Sequence, residues 1–291
     1  MTEHAYAPAL MRAHALLAAD RPEEALRELA VLPESDAVSA IVFELRAAAL
    51  LQLERWTEAG DAARAGLAAG GPDPDLLCQL GFAEYRLGRH ETAERALLDG
   101  LAIAPEDVSL LCVYARLCLE HGQLDKARRL VDLAAAQQPD APTVYATRVQ
   151  LAHASGDDAL AQRISREFVA AHPENAQAHA LLGGTSAARG QVRSAYSGLR
   201  QAVANDPADR DYAKAAYEAR IALHPLMLPV RPFARFGAVK TWIAAIVVIY
   251  GLRALGLYPL ATVAGLAWFA LCVYSWVVPP LLRRWLLRRW R

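Results

Sequence analysis

Between residues 76 and 101 the apolar positions fall at Leu76, Leu77, Leu80 and Ala83, then at Ala93, Leu97, Leu98 and Leu101. Gaps of three and four place each set on one stripe of a helix. Two helices joined by a polar turn are expected here. The pattern returns along the chain at a constant stride. Pro105, Pro139, Pro173 and Pro207 are 34 residues apart, and so are Gly88, Gly122, Gly156 and Gly190. Ala93, Ala127, Ala161 and Ala195 keep the same step. Three residue types holding one period predict a repeated helical hairpin.

Each mark has a mechanical reason. Glycine after the first helix closes it in a left-handed conformation at little steric cost. Alanine early in the second helix suits a crossing too close for a larger side chain. Proline just past the second helix cannot continue the hydrogen-bonded ladder. Carried backwards, the frame finds Ala59 and Ala25 at the alanine position, with Glu54 and Asp20 in place of glycine. Six units follow: 6–39, 40–73, 74–107, 108–141, 142–175 and 176–209. The first two lack the glycine and the proline, and Pro33 shortens a second helix, so these units are expected to pack less regularly. Residues 210–224 read as one further helix, with Tyr212, Ala216 and Tyr217 on one side. Such an end piece covers the last apolar face of a stack.

The set Leu80, Gly81, Gly88, Arg89, Ala93 and Pro105 resembles the signature of the tetratricopeptide repeat (TPR) family, and Leu182, Gly183, Gly190, Ala195 and Pro207 repeat it. The resemblance runs over about 204 of the 291 residues. It implies an all-α fold: a right-handed α-solenoid of about six TPR helix pairs plus the capping helix. It also implies a concave groove lined by the first helix of each unit. The groove positions here are Ile41, Glu44, Ala48, Leu51 and Gln52, then Asp75, Cys78, Phe82, Tyr85 and Arg86. Ser109, Cys112, Arg116, Leu119 and Glu120 follow, then Thr143, Ala146, Gln150, His153 and Ala154. The candidate partner-binding residues are Glu44, Phe82, Tyr85, Arg86, Arg116, Glu120 and Gln150. Phe82, Tyr85, Arg86 and Arg116 have the composition of a binding hot spot; the alternative is that the two aromatics only fill gaps between helices. The Lys/Asn set by which TPR co-chaperones hold a terminal carboxylate is missing from these positions.

The stride stops before residue 225, and the chemistry changes there. All 31 acidic residues lie at or before Glu218, against 22 Lys and Arg before residue 225, which leaves the body nine charges negative. The last 67 residues carry nine basic side chains and no acidic one. After a linker at 225–237, residues 259–278 are 20 residues without charge, about 30 Å of helix and enough to cross a bilayer. Residues 238–257 make a weaker span, because Lys240 and Arg253 must both reach outwards to water. Pro259 suits the start of the second helix, so a two-helix transmembrane hairpin is expected. Arg231, Arg235 and Lys240 flank one end of it and Arg283, Arg284, Arg288, Arg289 and Arg291 the other, with Arg253 alone at the turn. By the positive-inside rule both termini and the repeat domain face the cytoplasm, at the inner membrane of a bacterial cell. Trp242, Tyr258, Trp276, Trp285 and Trp290 fall where an aromatic belt is required. The basic tail, 279–291, suits a helix lying on anionic headgroups. The junction His224, Pro225, Leu226, then Arg231, Pro232, Phe233, Arg235 and Phe236, is similar to bacterial TPR proteins with a membrane anchor at the carboxyl end.

Little else carries chemistry. Cys78, Cys112, Cys118 and Cys272 form no C-x-x-C pair and read as reduced packing residues. The first residues, Met1 to Tyr6, include Glu3 and no basic run, so no secretory signal is expected. Phosphate-loop, nucleophile-elbow and zinc-protease motifs are missing. Gly183 and Gly184 fall inside a first helix, and His172 and His179 are separated by Pro173. The expectation is a non-enzymatic scaffold without cofactor or metal, binding a protein or peptide and a lipid bilayer, and no nucleic acid. Its alternative is a structural or assembly subunit of a membrane complex, with the hairpin as partner surface.

Overall fold

The computed structural model describes residues 7–32, 39–230 and 238–288. Among these the chain is all-α, with fifteen α-helices, one 3-10 helix and no strand. It divides into two compact units, Met1–Ser155 and Gly156–Arg291.

The first unit holds α1 (Ala7–Ala18), α2 (Pro22–Ala30), α3 (Ala40–Gln52), α4 (Trp56–Gly70), α5 (Pro74–Arg86), α6 (His90–Ile103), α7 (Val108–Glu120), α8 (Leu124–Gln137) and α9 (Pro142–Ala154). Every helix packs on a neighbour in sequence, and the odd-numbered ones also touch each other in a row from α1 to α9. Ala25, Ala59, Ala93 and Ala127 have no exposed surface where the second helix of a pair crosses the first. Apolar layers lie between successive pairs. One joins Ala93, Leu97, Leu110, Tyr114, Ala127 and Val131. Backbones approach closely: a Cβ at Gly81 would lie 2.6 Å from Leu97 Cδ2.

Local chemistry sets the helix ends. Asp73 and Asp107 accept hydrogen bonds from the backbone N–H groups of Leu76 and Leu110, at 3.0 and 2.8 Å. These are N-caps of α5 and α7, and they answer donors that no turn of the helix can. Gly88 and Gly122 close α5 and α7 at φ +72° and +69°. There the N–H of Arg89 bonds the carbonyl of Glu84 at 2.9 Å, and that of Gln123 the carbonyl of Cys118 at 2.9 Å. The first two pairs close in the same way without glycine. Asp20 and Glu54 stand at φ +55° and +57°, and Arg21 and Arg55 make the equivalent bonds to Leu16 and Leu50. The packing of the following alanine outweighs the local cost of a left-handed residue with a Cβ, about 1–2 kcal/mol. The second helix of the first pair, α2, has only nine residues; Pro33 lies outside the described residues.

The second unit holds α10 (Asp158–Ala171), α11 (Ala176–Ala188), α12 (Val192–Asn205), α13 (Arg210–Leu223), a 3-10 helix (Pro225–Val230), α14 (Ala238–Ala254) and α15 (Tyr258–Arg288). Asp209 caps α13 through the N–H of Tyr212, at 3.0 Å. Helices α11 and α12 cross on two glycines, and a Cβ at Gly198 would stand 2.9 Å from Gly183 N. The interior here is partly polar. Buried Gln162 donates from Nε2 to Ser186 Oγ at 3.0 Å and to Gln191 Oε1 at 2.7 Å.

Helices α14 and α15 pack on each other, and α15 also meets the 3-10 helix, where Tyr274 Oη donates to the Leu226 carbonyl at 2.7 Å. Their turn uses the closure seen in the repeats: Gly256 lies at φ +74° and Leu257 N bonds Leu252 O at 3.0 Å. Two boundaries differ from the expectation. Helix α14 stops at Ala254 after 17 residues, about 25 Å, short of a full span. Helix α15 does not stop at 278 but continues to Arg288. Residues 281–288 are leucine, arginine and tryptophan, which sustain a helix once it is running, so this part of the tail prolongs α15. Among the described residues one helix is long and apolar enough to cross a membrane, Tyr258–Val278.

Glu54→Gly is expected to raise stability by about 1 kcal/mol, because it relieves the left-handed Cβ and gives up only an exposed ion pair with Arg86 at 3.9 Å, a kind of pair that contributes little. Denaturant titration of the full chain checks the sign. Ala127→Leu is expected to overpack the crossing of α7 and α8 and cost about 1–3 kcal/mol in the same measurement.

Candidate functional site

The row of first helices brings the C-terminal halves of α5 and α7 together, and Trp56 at the start of α4 joins them. Arg86 lies over the Trp56 ring at 4.0 Å and near the Phe82 ring at 5.9 Å. Trp56 and Phe82 meet edge to face at 5.9 Å, and Phe82 and Tyr85 lie 6.2 Å apart. Such contacts are worth about 0.5–1.5 kcal/mol each beyond area. They hold the exposed Arg86 side chain in place, with Glu54 at 3.9 Å on its outer side. Tyr85 Oη donates to Glu120 Oε1 at 3.0 Å, and His90 Nδ1 lies 3.9 Å from Glu120 Oε2. His90 in turn meets the His121 ring edge to face at 4.8 Å.

Arg116, in the middle of α7, differs. Its Nε is buried without a hydrogen-bond partner, and the guanidinium makes no ion pair among the described residues. The groups around it are the Cys112 and Cys78 thiols, the Tyr85 phenol and the like-charged Arg86. Burial pulls its pKa below the usual arginine value. Burial likewise pushes the Cys78 thiol up to about 12 and raises Cys112. These thiols are protonated, poor nucleophiles at neutral pH.

The N-terminal ends of the same helices have the opposite charge. Asp75 is raised above its ordinary pKa by burial and then by Asp73 and Asp107. Glu44 is raised by burial and then by Asp75 and Asp73, with His14 acting the other way. The face is thus acidic along one edge and carries Arg86 and Arg116 towards the other.

The candidate residues therefore separate. Phe82, Tyr85, Arg86, Arg116 and Glu120 form one set; Glu44 joins the acidic edge, and Gln150 is exposed on α9 and takes no part in these contacts. Trp56 escaped the sequence reading because groove positions were counted on first helices, and it begins a second one. In the second unit Lys240, Trp242, Arg253 and Trp276 are exposed on α14 and α15. Arg283, Arg284, Trp285 and Arg288 belong to the last turns of α15, and Arg289 and Trp290 lie outside the described residues. Among the described residues no group of three His, Cys, Asp or Glu is placed to hold a metal.

Because Glu44 and Asp75 hold their protons more tightly folded than unfolded, their joint contribution favours the folded state at acid pH. It declines as pH rises from the ordinary carboxylate range, about 4, through their raised folded values. Glu44→Gln with Asp75→Asn is expected to raise the melting temperature at pH 7. The gain should vanish below about pH 4, as thermal melts across pH will show.

A profile described as tetratricopeptide repeat matches residues 85–151, from the end of α5 into α9. No curated protein matches the chain. Several solved structures are similar in fold. A tetratricopeptide repeat protein from Parabacteroides merdae ATCC 43184 is 16% identical, with 76% of this chain and 86% of that one covered and a TM-score of 0.63. A thermophilic TPR protein from Thermus thermophilus is 18% identical, with coverages of 60% and 95% and a TM-score of 0.56. PilW, a type IV pilus biogenesis factor, is 16% identical, with coverages of 73% and 99% and a TM-score of 0.55. Residues 85–151 thus match the tetratricopeptide repeat, and much of the chain shares its helical-hairpin fold with solved tetratricopeptide repeat proteins.

Proposed function

We propose that this chain is a non-enzymatic scaffold that takes a protein or peptide onto the face formed by α3, α5, α7 and α9 while α14 and α15 hold it at a membrane. One observation carries the reading. Trp56, Phe82, Tyr85 and Arg86 form an ordered, partly exposed aromatic–cation cluster beside Arg116, whose buried Nε has no internal partner. Aromatic and arginine anchors of this kind dominate the energetics of protein interfaces. Nothing in the cluster supplies an activated nucleophile or a tuned acid–base pair.

The membrane part rests on α15 and its surroundings. Residues Tyr258–Val278 have a mean hydropathy of 1.8, and only Ala261 among them is buried. Trp276 is 84% exposed and Phe269 68%, which water would penalise and acyl chains would not. The positive charge at both ends favours a cytoplasmic repeat domain, and anionic headgroups suit the arginines beyond residue 280. Helix α14, shorter and bearing Lys240 and Arg253, accompanies α15 as the weaker member of the hairpin. Anchoring would raise the local concentration of whatever the face binds, without any new contact.

The second reading, an assembly subunit of a membrane complex, is favoured by one feature. Between α14 and α15 lies an apolar cavity of about 390 Å³ lined by Ala244, Ala245, Ala264 and Ala267 among others. Small residues allow another helix to approach closely within a bilayer.

One experiment separates the two. Membranes from cells producing the full chain are divided, one portion extracted with alkaline carbonate and the other crosslinked without extraction, with the wild type beside Phe82→Ala/Arg86→Glu. The chain is expected in the membrane pellet, with its crosslinked partner lost in the double variant. A partner retained there but lost on Ala264→Leu/Ala267→Leu supports the assembly subunit, and a chain released by carbonate removes the anchor.

A further inference from the structure

Tyr274 fixes the depth at which the 3-10 helix Pro225–Val230 lies against α15. Its Oη donates to the Leu226 carbonyl at 2.7 Å. At about 1.5 Å of rise per residue, the Tyr274 Cα stands about 6 Å before Val278, where the apolar stretch of α15 ends. Side chains on a helix lean towards its N-terminus, which here is further into that stretch. The 3-10 helix is therefore level with the last turns of the apolar stretch and does not lie beyond it.

The composition and backbone of the segment suit that depth. Its six residues, Pro-Leu-Met-Leu-Pro-Val, carry no polar side chain. Pro225 and Pro229 have no N–H to satisfy. The N–H of Leu226 donates to His224 Nδ1 at 3.3 Å, and that of Met227 to the His224 carbonyl at 2.8 Å. The Leu226 carbonyl is the group that Tyr274 answers. A turn in water can leave such groups to solvent, whereas beside acyl chains they must be met from within the protein. The side chains on the outside, Pro225, Leu226, Leu228 and Pro229, are all exposed.

Resting on the reading above that α15 crosses a membrane, we propose that Pro225–Val230 is a second membrane contact: a short wedge seated in the phospholipid leaflet at the boundary of headgroups and acyl chains, held at its depth by Tyr274. Interfacial segments lie about 5–10 Å into that boundary, which agrees with the position of Tyr274. Continuity with α15 identifies the occupant as lipid, because the side chains of α15 around the same level, Val273, Trp276 and Val277, are exposed as well. The wedge has a consequence for the second unit. Helix α13 packs on the 3-10 helix, and only His224 separates the two along the chain. The carboxyl end of α13 is thereby held at the headgroups.

The test uses the full chain reconstituted in vesicles of phosphatidylcholine and phosphatidylglycerol in equal parts. The photoreactive residue p-benzoylphenylalanine is placed at one position at a time: Leu226, Leu228, Phe269 within α15, and Arg166, exposed on α10. Adducts are identified by mass spectrometry after irradiation. Leu226, Leu228 and Phe269 should each yield adducts to phospholipid acyl chains, and Arg166 none. In Tyr274→Phe the Leu226 carbonyl loses its partner, so the probe at Leu228 should lose most of its lipid adduct while the probe at Phe269 keeps its own.

Lipid adducts at Phe269 with none at Leu226 or Leu228 would overturn the wedge and leave the anchor standing. Adducts from Leu226 and Leu228 to protein, whether this chain or a second copy, would overturn it in favour of a docking surface. Lipid adducts at Arg166 as abundant as those at Leu228 would overturn it by showing contact without a preferred site. An undiminished yield at Leu228 in Tyr274→Phe would overturn the part given to Tyr274. If no position yields lipid, the anchor reading fails and the wedge with it.

Discussion

No helical hairpin of this chain can bury its own apolar stripe, and the rest of the structure is a response to that constraint. The crossing inside a pair is held close by an alanine with no exposed surface, at Ala59, Ala93 and Ala127 alike. Closeness there uses only one side of each helix. The remaining apolar surface, such as Leu110, Leu117 and Val131, is covered by the next pair. Stability in such a stack is a sum of pair and interface contributions, so it places no demand on the solvent-facing side of the first helices. That freedom lets the row from α3 to α9 carry aromatics and unpaired charge.

The stride was legible because each mark solves a local problem that recurs without variation. Ala93, Gly88 and Pro105 sit where a crossing, a left-handed closure and a helix end each require a particular residue. The aspartate and asparagine caps at Asp73, Asp107, Asn175 and Asp209 keep the same 34-residue frame and do the same work at the other end of the first helix. Where a tertiary force competes, the local mark fails. Asp20 and Glu54 take the conformation of glycine because the motif around them is already bonded, and only coordinates reveal it. The ends of α14 and α15 depart from the expected boundaries for a related reason. Apolar length measures what a bilayer accepts, whereas the helix itself ends on backbone chemistry, at Gly256 on one side and beyond a run of helix-forming residues on the other.

The site was half legible. Phe82, Tyr85, Arg86 and Arg116 follow from counting along first helices, and they do come together. Which of the two arginines is free does not follow, since it depends on Trp56, a residue of the neighbouring second helix. Glu44 was placed with these residues by its position along the helix. Burial and two neighbouring aspartates put it in the opposite electrostatic field. Helical position fixes which face a side chain joins, and charge along that face needs the neighbours.

The two parts of the chain meet the same constraint differently. In the repeats, apolar surface is removed from water by the next pair. In α14 and α15 it is not removed, and Val247, Val263, Phe269 and Trp276 remain more than half exposed. Burying one such side chain is worth about 1.5–3 kcal/mol, a gain that α14 and α15 leave unused among the described residues. The hydrogen bond from Tyr274 to the Leu226 carbonyl ties α15 to the 3-10 helix and spans the step from the covered part to the uncovered part. Exposed Leu226 and Leu228 lie beside it, on the residues that lead from α13 to α14. The exposed apolar surface therefore begins at the 3-10 helix, before α14 itself.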